Sequence, residues 1–165
     1  MSHLPNLITA RLTLRQLLPS DDRNLLSLRS NYEVNRYLDR STPKDITDAR
    51  QFIDSILEHK RVYWAITLRS PELIGTICLF NFSEDRLSAE LGYELHPDFQ
   101  GQGIMDEALK KVIGFGFDIL RLEKIVAFTH RDNQQSVGLL EKNEFVLVSA
   151  QEDDPYDQFV RKREP

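Results

Sequence analysis

The stretch Gln100-Gly101-Gln102-Gly103-Ile104-Met105 sets two glycines one residue apart at the start of a long apolar-patterned segment. A helix start exposes unpaired backbone N–H groups and carries roughly half a positive charge. Glycines ahead of it allow positive φ angles and let the backbone approach an anion closely. The chemistry this arrangement suits is phosphate or pyrophosphate binding. The spacing narrows the kind. A P-loop needs G-x-x-x-x-G-K-[ST], and no Lys-Ser or Lys-Thr follows here. A dinucleotide fingerprint needs a third glycine where Asp106 stands. Glycines that merely turn a strand into a helix are the competing explanation.

Other reactive residue types point nowhere by themselves. Cys78 sits in an apolar strand with no histidine near it in sequence, which predicts a buried core thiol rather than a nucleophile. His3, His59, His96 and His130 share no ligand spacing, so no metal site is expected. His96 and His130 fall at strand ends. Arg161-Lys162-Arg163 reads as a solvated strand end.

The elements that must position the glycine turn follow from periodicity. Arg11–Leu17 alternates as a strand, and Pro19-Ser20-Asp21 starts a helix bearing Leu25, Leu26 and Leu28. Thr47–Lys60 is a second helix, with Ala49, Phe52, Ile53, Ile56 and Leu57 on one face. Tyr63–Arg69, Leu73–Phe82 and Ala89–Leu95 are strands separated by the turn signals Ser70-Pro71-Glu72 and Ser83-Glu84-Asp85. A helix then runs from the glycine turn to about Ile119. It is followed by a strand at Lys124–Thr129, a helix near Gln134–Asn143, and strands near Phe145–Ala150 and Gln158–Arg163. The order β-α-α-β-β-β-α-β-α-β-β predicts an α+β domain on a mixed sheet. The segment Asn31–Lys44 has no readable pattern.

Length and charge bound the rest. The 165 residues suit a single domain spanning 1–165, and 41% hydrophobic against 28% charged residues is a globular mix. A net charge of −5 argues against nucleic-acid partners. The single cysteine fits a reducing cytoplasm. The start MSHLPNLITARL lacks a leader's basic and apolar regions, and no apolar run approaches the ~20 residues of a membrane helix.

The glycine turn resembles the Q/R-x-x-G-x-G/A pyrophosphate loop of the GNAT superfamily of acetyl-CoA-dependent N-acetyltransferases. Further motifs match in order. Thr9-Ala10-Arg11-Leu12-Thr13-Leu14-Arg15 and Ala89-Glu90-Leu91-Gly92-Tyr93 are similar to the first and fourth strands of the RimJ/RimL branch, which acetylates ribosomal-protein N-termini. Asn133-Gln134-Gln135-Ser136, with Leu139-Leu140-Glu141-Lys142-Asn143 and Phe145, resembles that branch's N-x-x-S-x-x-L-L-x-K-x-x-F helix. Two positions depart from the pattern. Met105 replaces a Gly or Ala, setting one loop N–H farther from the phosphates. Glu144 replaces a glycine that takes the left-handed conformation, a task then expected of Asn143.

The resemblance implies the GNAT fold: a mixed, mostly antiparallel sheet of about seven strands, splayed in a V between the fourth and fifth, with about four helices. Acetyl-CoA would lie in the V. Tyr93, Glu94 and Leu95 would bond its pantetheine, Gln100, Gly101, Gln102, Gly103, Ile104 and Met105 its pyrophosphate, and Asn133 the pantetheine arm. An amine, either a protein N-terminal α-amine or a small-molecule amine, would attack the thioester directly while a strand N–H stabilises the oxyanion. An α-amine, with a pKa near ~8, needs less help than a lysine at ~10.4. Glu90 is the candidate base, or else an ordinary strand carboxylate. Leu140 stands where many members carry a tyrosine acid. Ser136 would hydrogen-bond the CoA sulfur, or else cap its helix. Tyr156 is a weaker acid candidate. Homodimers are frequent in the branch. A non-catalytic acyl-CoA-binding module would share the loop but need neither Glu90 nor Ser136.

Overall fold

The computed structural model describes residues 3–150 and 152–165. Met1, Ser2 and Gln151, which the leader reading and the 1–165 span include, lie outside the described residues. The chain runs β1 (Leu7–Ile8), β2 (Thr13–Gln16), α1 (Asp22–Ser30), α2 (Tyr32–Asn35), α3 (Ile46–Glu58), β3 (Val62–Thr67), β4 (Gly75–Phe80) and β5 (Ser88–Leu95). It continues with α4 (Ile104–Asp118), β6 (Lys124–His130), α5 (Gln134–Lys142), β7 (Val146–Ser149) and β8 (Tyr156–Lys162). The strands form one sheet in the order β1-β2-β3-β4-β5-β6-β8-β7. Neighbours are antiparallel except β5 and β6, which are parallel.

Strand alternation gives the sheet two buried faces. Trp64, Ile66, Ile77, Leu79, Ala89 and Leu91 form one core with the apolar residues of α4. Tyr63 and Ala65 form the other with Leu25 and Leu28 of α1 and Ile53 and Ile56 of α3. Asp45 caps α3 by accepting from the Asp48 N–H at 3.0 Å. At Gly116 of α4, a Cβ would come within 3.2 Å of the Leu122 and Ile125 side chains, so the helix packs closely there because glycine is present.

The α+β architecture matches the expectation, with one more strand and one more helix. The two-residue β1 is too short to show a period. The single turn α2 lies in the patternless Asn31–Lys44 segment, where the Asn31 side chain accepts from the Glu33 and Val34 N–H groups. The strands expected as fourth and fifth are therefore β5 and β6. One expectation is overturned. Asn143 does not take the left-handed conformation (φ −96°), and Glu144 does so itself (φ 66°). Asn143 is instead buried, its side-chain amide donating to Asp106 and to the Leu139 carbonyl, both at 2.9 Å. That side chain ties the end of α5 to the start of α4 and leaves the turn to its neighbour.

Candidate active site

β5 and β6 pair only across Ser88–Lys124, Ala89–Ile125 and Glu90–Val126. Beyond Glu90, β5 stays bonded to β4 as far as Leu95, and β6 to β8 as far as His130. The edges that face each other across this gap have no ladder partner, so their polar backbone groups need another one. A cleft of about 1400 Å³ occupies the gap and extends to the start of α4.

At its head the glycines behave as the turn requires. Gly101 and Gly103 have φ of 74° and 75°, and Gly103 is the N-cap of the 15-residue α4. A Cβ on Gly101 would meet nothing within 4 Å, so its glycine is needed for conformation rather than for room. The first-turn N–H groups of Ile104, Met105 and Asp106 precede the first helical hydrogen bond, from the Glu107 N–H to the Gly103 carbonyl. The two carboxylates of this turn would repel an anion, but both are paired. Partial burial works against their ionisation. Hydrogen bonds from Lys110, Asn143 and Lys142 nevertheless hold the Asp106 pKa below its usual value, and bonds from Thr9 and Arg11 do the same for Glu107. Arg11 also donates to the Gln102 carbonyl at 2.9 Å and braces the loop from behind.

A family profile described as "Acetyltransferase (GNAT) domain" matches residues 11–146. The chain belongs to the GNAT acetyltransferase family. It is an acyltransferase. An uncharacterized N-acetyltransferase of Bacillus subtilis (strain 168), YoaA, is 35% identical over 146 residues, covering 86% of this chain and 82% of its own. The ribosomal-protein-serine acetyltransferase of Escherichia coli (strain K12) is 31% identical over 103 residues, covering 61% of this chain and 58% of its own. Among solved structures, a spermidine N-acetyltransferase from Vibrio cholerae, in complex with CoA and spermine, superposes with a TM-score of 0.83 at 21% identity. The match covers 93% of this chain and 96% of that one, and shows the shared fold.

In this acetyltransferase every site residue singled out from the sequence lines the cleft except Gln102. The Gln102 side chain turns back to the Asp98 carbonyl at 3.2 Å. Gln100 donates to the Leu95 carbonyl at 2.9 Å, fastening the loop to the end of β5. Asn133 caps α5, its side chain accepting from the Ser136 N–H at 3.3 Å. The cap is therefore Asn133, and the Ser136 hydroxyl bonds the Tyr93 hydroxyl at 2.5 Å instead. Glu90, the last residue of β5 to pair with β6, accepts from the Asn81 side chain at 2.9 Å.

The Glu94 carboxylate is buried and engaged. It accepts from Arg29 at 3.1 Å and Thr76 at 3.3 Å, and Arg40 lies 2.6 Å away in an ion pair not aligned as a hydrogen bond. Cys78, expected as a buried core thiol, is instead half-buried and lines the cleft; desolvation there pushes its thiol up to about 12, reinforced by Glu94, so it stays protonated at neutral pH. Arg29, Arg40 and Thr76 were invisible in the sequence because they come from α1, a loop and β4 and meet only in three dimensions.

Of the strand-end histidines, His130 lines the cleft and His96 does not. His130 Nδ1 accepts the Asp132 N–H at 3.1 Å, which leaves the proton of the neutral ring on Nε2. Its ring lies 5.3 Å from Tyr37 and 5.5 Å from Tyr156. The Tyr156 hydroxyl donates to the Tyr37 carbonyl at 2.7 Å, so this phenol pins α2's flank to β8. Among the described residues, no group of three or more His, Cys, Asp or Glu side chains gathers to hold a metal. No helix among them is long and apolar enough to cross a membrane.

Proposed function

We propose that this chain transfers an acetyl group from acetyl-CoA to a primary amine, the acceptor being a protein N-terminal α-amine or a small-molecule amine. One observation carries the reading: the glycine-capped start of α4 opens into the same cleft as the unpaired edges of β5 and β6. An anion-binding helix start beside free strand edges fits a ligand with a diphosphate at one end and amides along its length. Acetyl-CoA has that form, and it supplies an activated acyl carbon on a thiol leaving group.

The chain's own residues would divide the work. The N–H groups from Gly101 to Met105 hold the diphosphate, while the open edge of Tyr93, Glu94 and Leu95 bonds the pantetheine. An N–H of that edge would stabilise the oxyanion. Glu90 takes the proton of the amine. Asn81 orients its carboxylate, whose second oxygen has no protein partner among the described residues. The relatives named above leave both acceptor classes in play, since one is named for a ribosomal-protein serine and another for spermidine.

Thiol release from acetyl-CoA, measured against a panel of peptides and small amines, tests this. Turnover on a panel amine is expected, with Glu90→Gln lowering kcat/KM by about a hundredfold at neutral pH and recovering as rising pH deprotonates the amine. No binding of acetyl-CoA would defeat the cofactor reading. An unchanged rate in Glu90→Gln would defeat the base assignment alone.

A further inference from the structure

Tyr93 and Ser136 stand on opposite sides of the V. Tyr93 belongs to the part of β5 that has parted from β6, and Ser136 to the first turn of α5, the helix that follows β6. Their hydroxyl oxygens are 2.5 Å apart, both residues line the cleft, and among the described residues neither hydroxyl has another hydrogen-bond partner. Two hydroxyls sharing one hydrogen bond leave one proton over. The phenol is the stronger acid and the alkyl oxygen the better acceptor, so the phenol donates and the serine proton is the one left free. Burial pushes the Tyr93 phenol up to about 12, against the smaller opposing effect of its contact with the Ser136 hydroxyl, so it remains a donor throughout the neutral range. A hydroxyl that accepts one strong hydrogen bond donates a stronger one in turn.

We propose that Tyr93 is a positioning residue: its hydroxyl holds the Ser136 hydroxyl with its proton aimed into the cleft, as a polarised donor to the sulfur of the departing coenzyme A thiolate. This rests on the acetyl-CoA reading. No proton need leave the hydroxyl pair. The attacking nitrogen gives its proton to Glu90, the sulfur leaves as the thiolate and takes a proton from solvent, and the pair stabilises its negative charge while the C–S bond breaks. The arrangement supplies by two residues what the leucine at position 140 cannot.

The test needs no acceptor amine. Coenzyme A itself is bound to the protein, and ionisation of its thiol is followed by thiolate absorbance against pH. A donor to the charged form lowers a pKa. The bound thiol is therefore expected to ionise about tenfold more readily than free coenzyme A. Tyr93→Phe and Ser136→Ala should each abolish most of that gain, and the double variant should lose no more than Ser136→Ala alone. A purely structural role for Tyr93 would leave the titration unmoved, and an unmoved titration or multiplying losses would overturn the proposal. Calorimetry separates the two levels: wild type that binds no coenzyme A sinks the cofactor reading and this proposal with it. If binding is intact but titration is identical in wild type and Tyr93→Phe, only the proposal falls. Should Tyr93→Phe unfold, 3-fluorotyrosine at position 93 keeps the volume and acidifies the phenol. It must then lower the thiol pKa further, and no change overturns the proposal.

Discussion

Glu144 shows what one side chain costs in the wrong place. Its φ of 66° lies in the left-handed region, which costs an L-residue roughly 1–2 kcal/mol. Part of that is offset by the Arg161 ion pair at 2.8 Å, but the Glu144 carboxylate is largely exposed and such pairs contribute about 0–1 kcal/mol. Glycine would relieve the strain while adding some freedom to the unfolded chain. Glu144→Gly is therefore expected to stabilise the protein by up to about 1 kcal/mol, seen as a Tm about 2–4 °C higher in thermal unfolding. A lower Tm would show that the ion pair outweighs the strain. Glu94 makes the converse point: a residue selected for its backbone has a buried side chain bonded to Arg29 and Thr76 and ion-paired with Arg40.

Between elements, the brace behind the glycine loop matters most. Arg11 reaches from the turn between β1 and β2 to the Gln102 carbonyl and to Glu107 in the first turn of α4. It does not line the cleft, so its effect on a ligand is through the loop's shape. Arg11→Ala frees Gln102 and leaves Glu107 less compensated at a helix start meant for an anion. The expected result is a KM for acetyl-CoA raised about three- to tenfold with kcat within twofold. Steady-state kinetics at varied acetyl-CoA checks it, and a loss confined to kcat would contradict it. At this scale the sequence was most legible. Strong periodicity located α3, α4 and the middle strands to within a few residues. The elements it could not show were β1, two residues long, and α2, four residues held by an Asn31 cap, because neither carries a period.

Across the molecule, three carboxylates clamp separate parts of the chain. Asp22 of α1 accepts from Arg50 of α3 at 2.7 Å, Asp106 joins α4 to α5 through Asn143, and Glu107 joins α4 to Thr9 and Arg11. All three have pKa values held below the usual range. Arg50 is the main cause for Asp22, and for the other two hydrogen bonds overcome partial burial. Folded pKa values below the unfolded ones, near ~3.9 for Asp and ~4.3 for Glu, give stability that is present above those values. It is lost as pH falls through the folded pKa values. Tm should therefore hold between pH 7 and 5 and drop below about pH 4. Asp106→Asn should lower the plateau and flatten the drop, and a variant curve parallel to wild type would refute the assignment.

The local code of the chain was enough for the glycine turn, the α+β order and the motifs that led to the family, since φ preference, helix starts and hydrophobic period act over a few residues. The resemblance that those motifs carry, not the period, brought Glu90, Tyr93, Asn133 and Ser136 forward as a set. Only the folded chain decided that the serine hydroxyl meets a tyrosine rather than capping its helix, and that two arginines close on Glu94. Those pairings join residues from separate strands, helices and loops, and a side chain's partner across such distances depends on how the sheet splays, which no short stretch of sequence encodes.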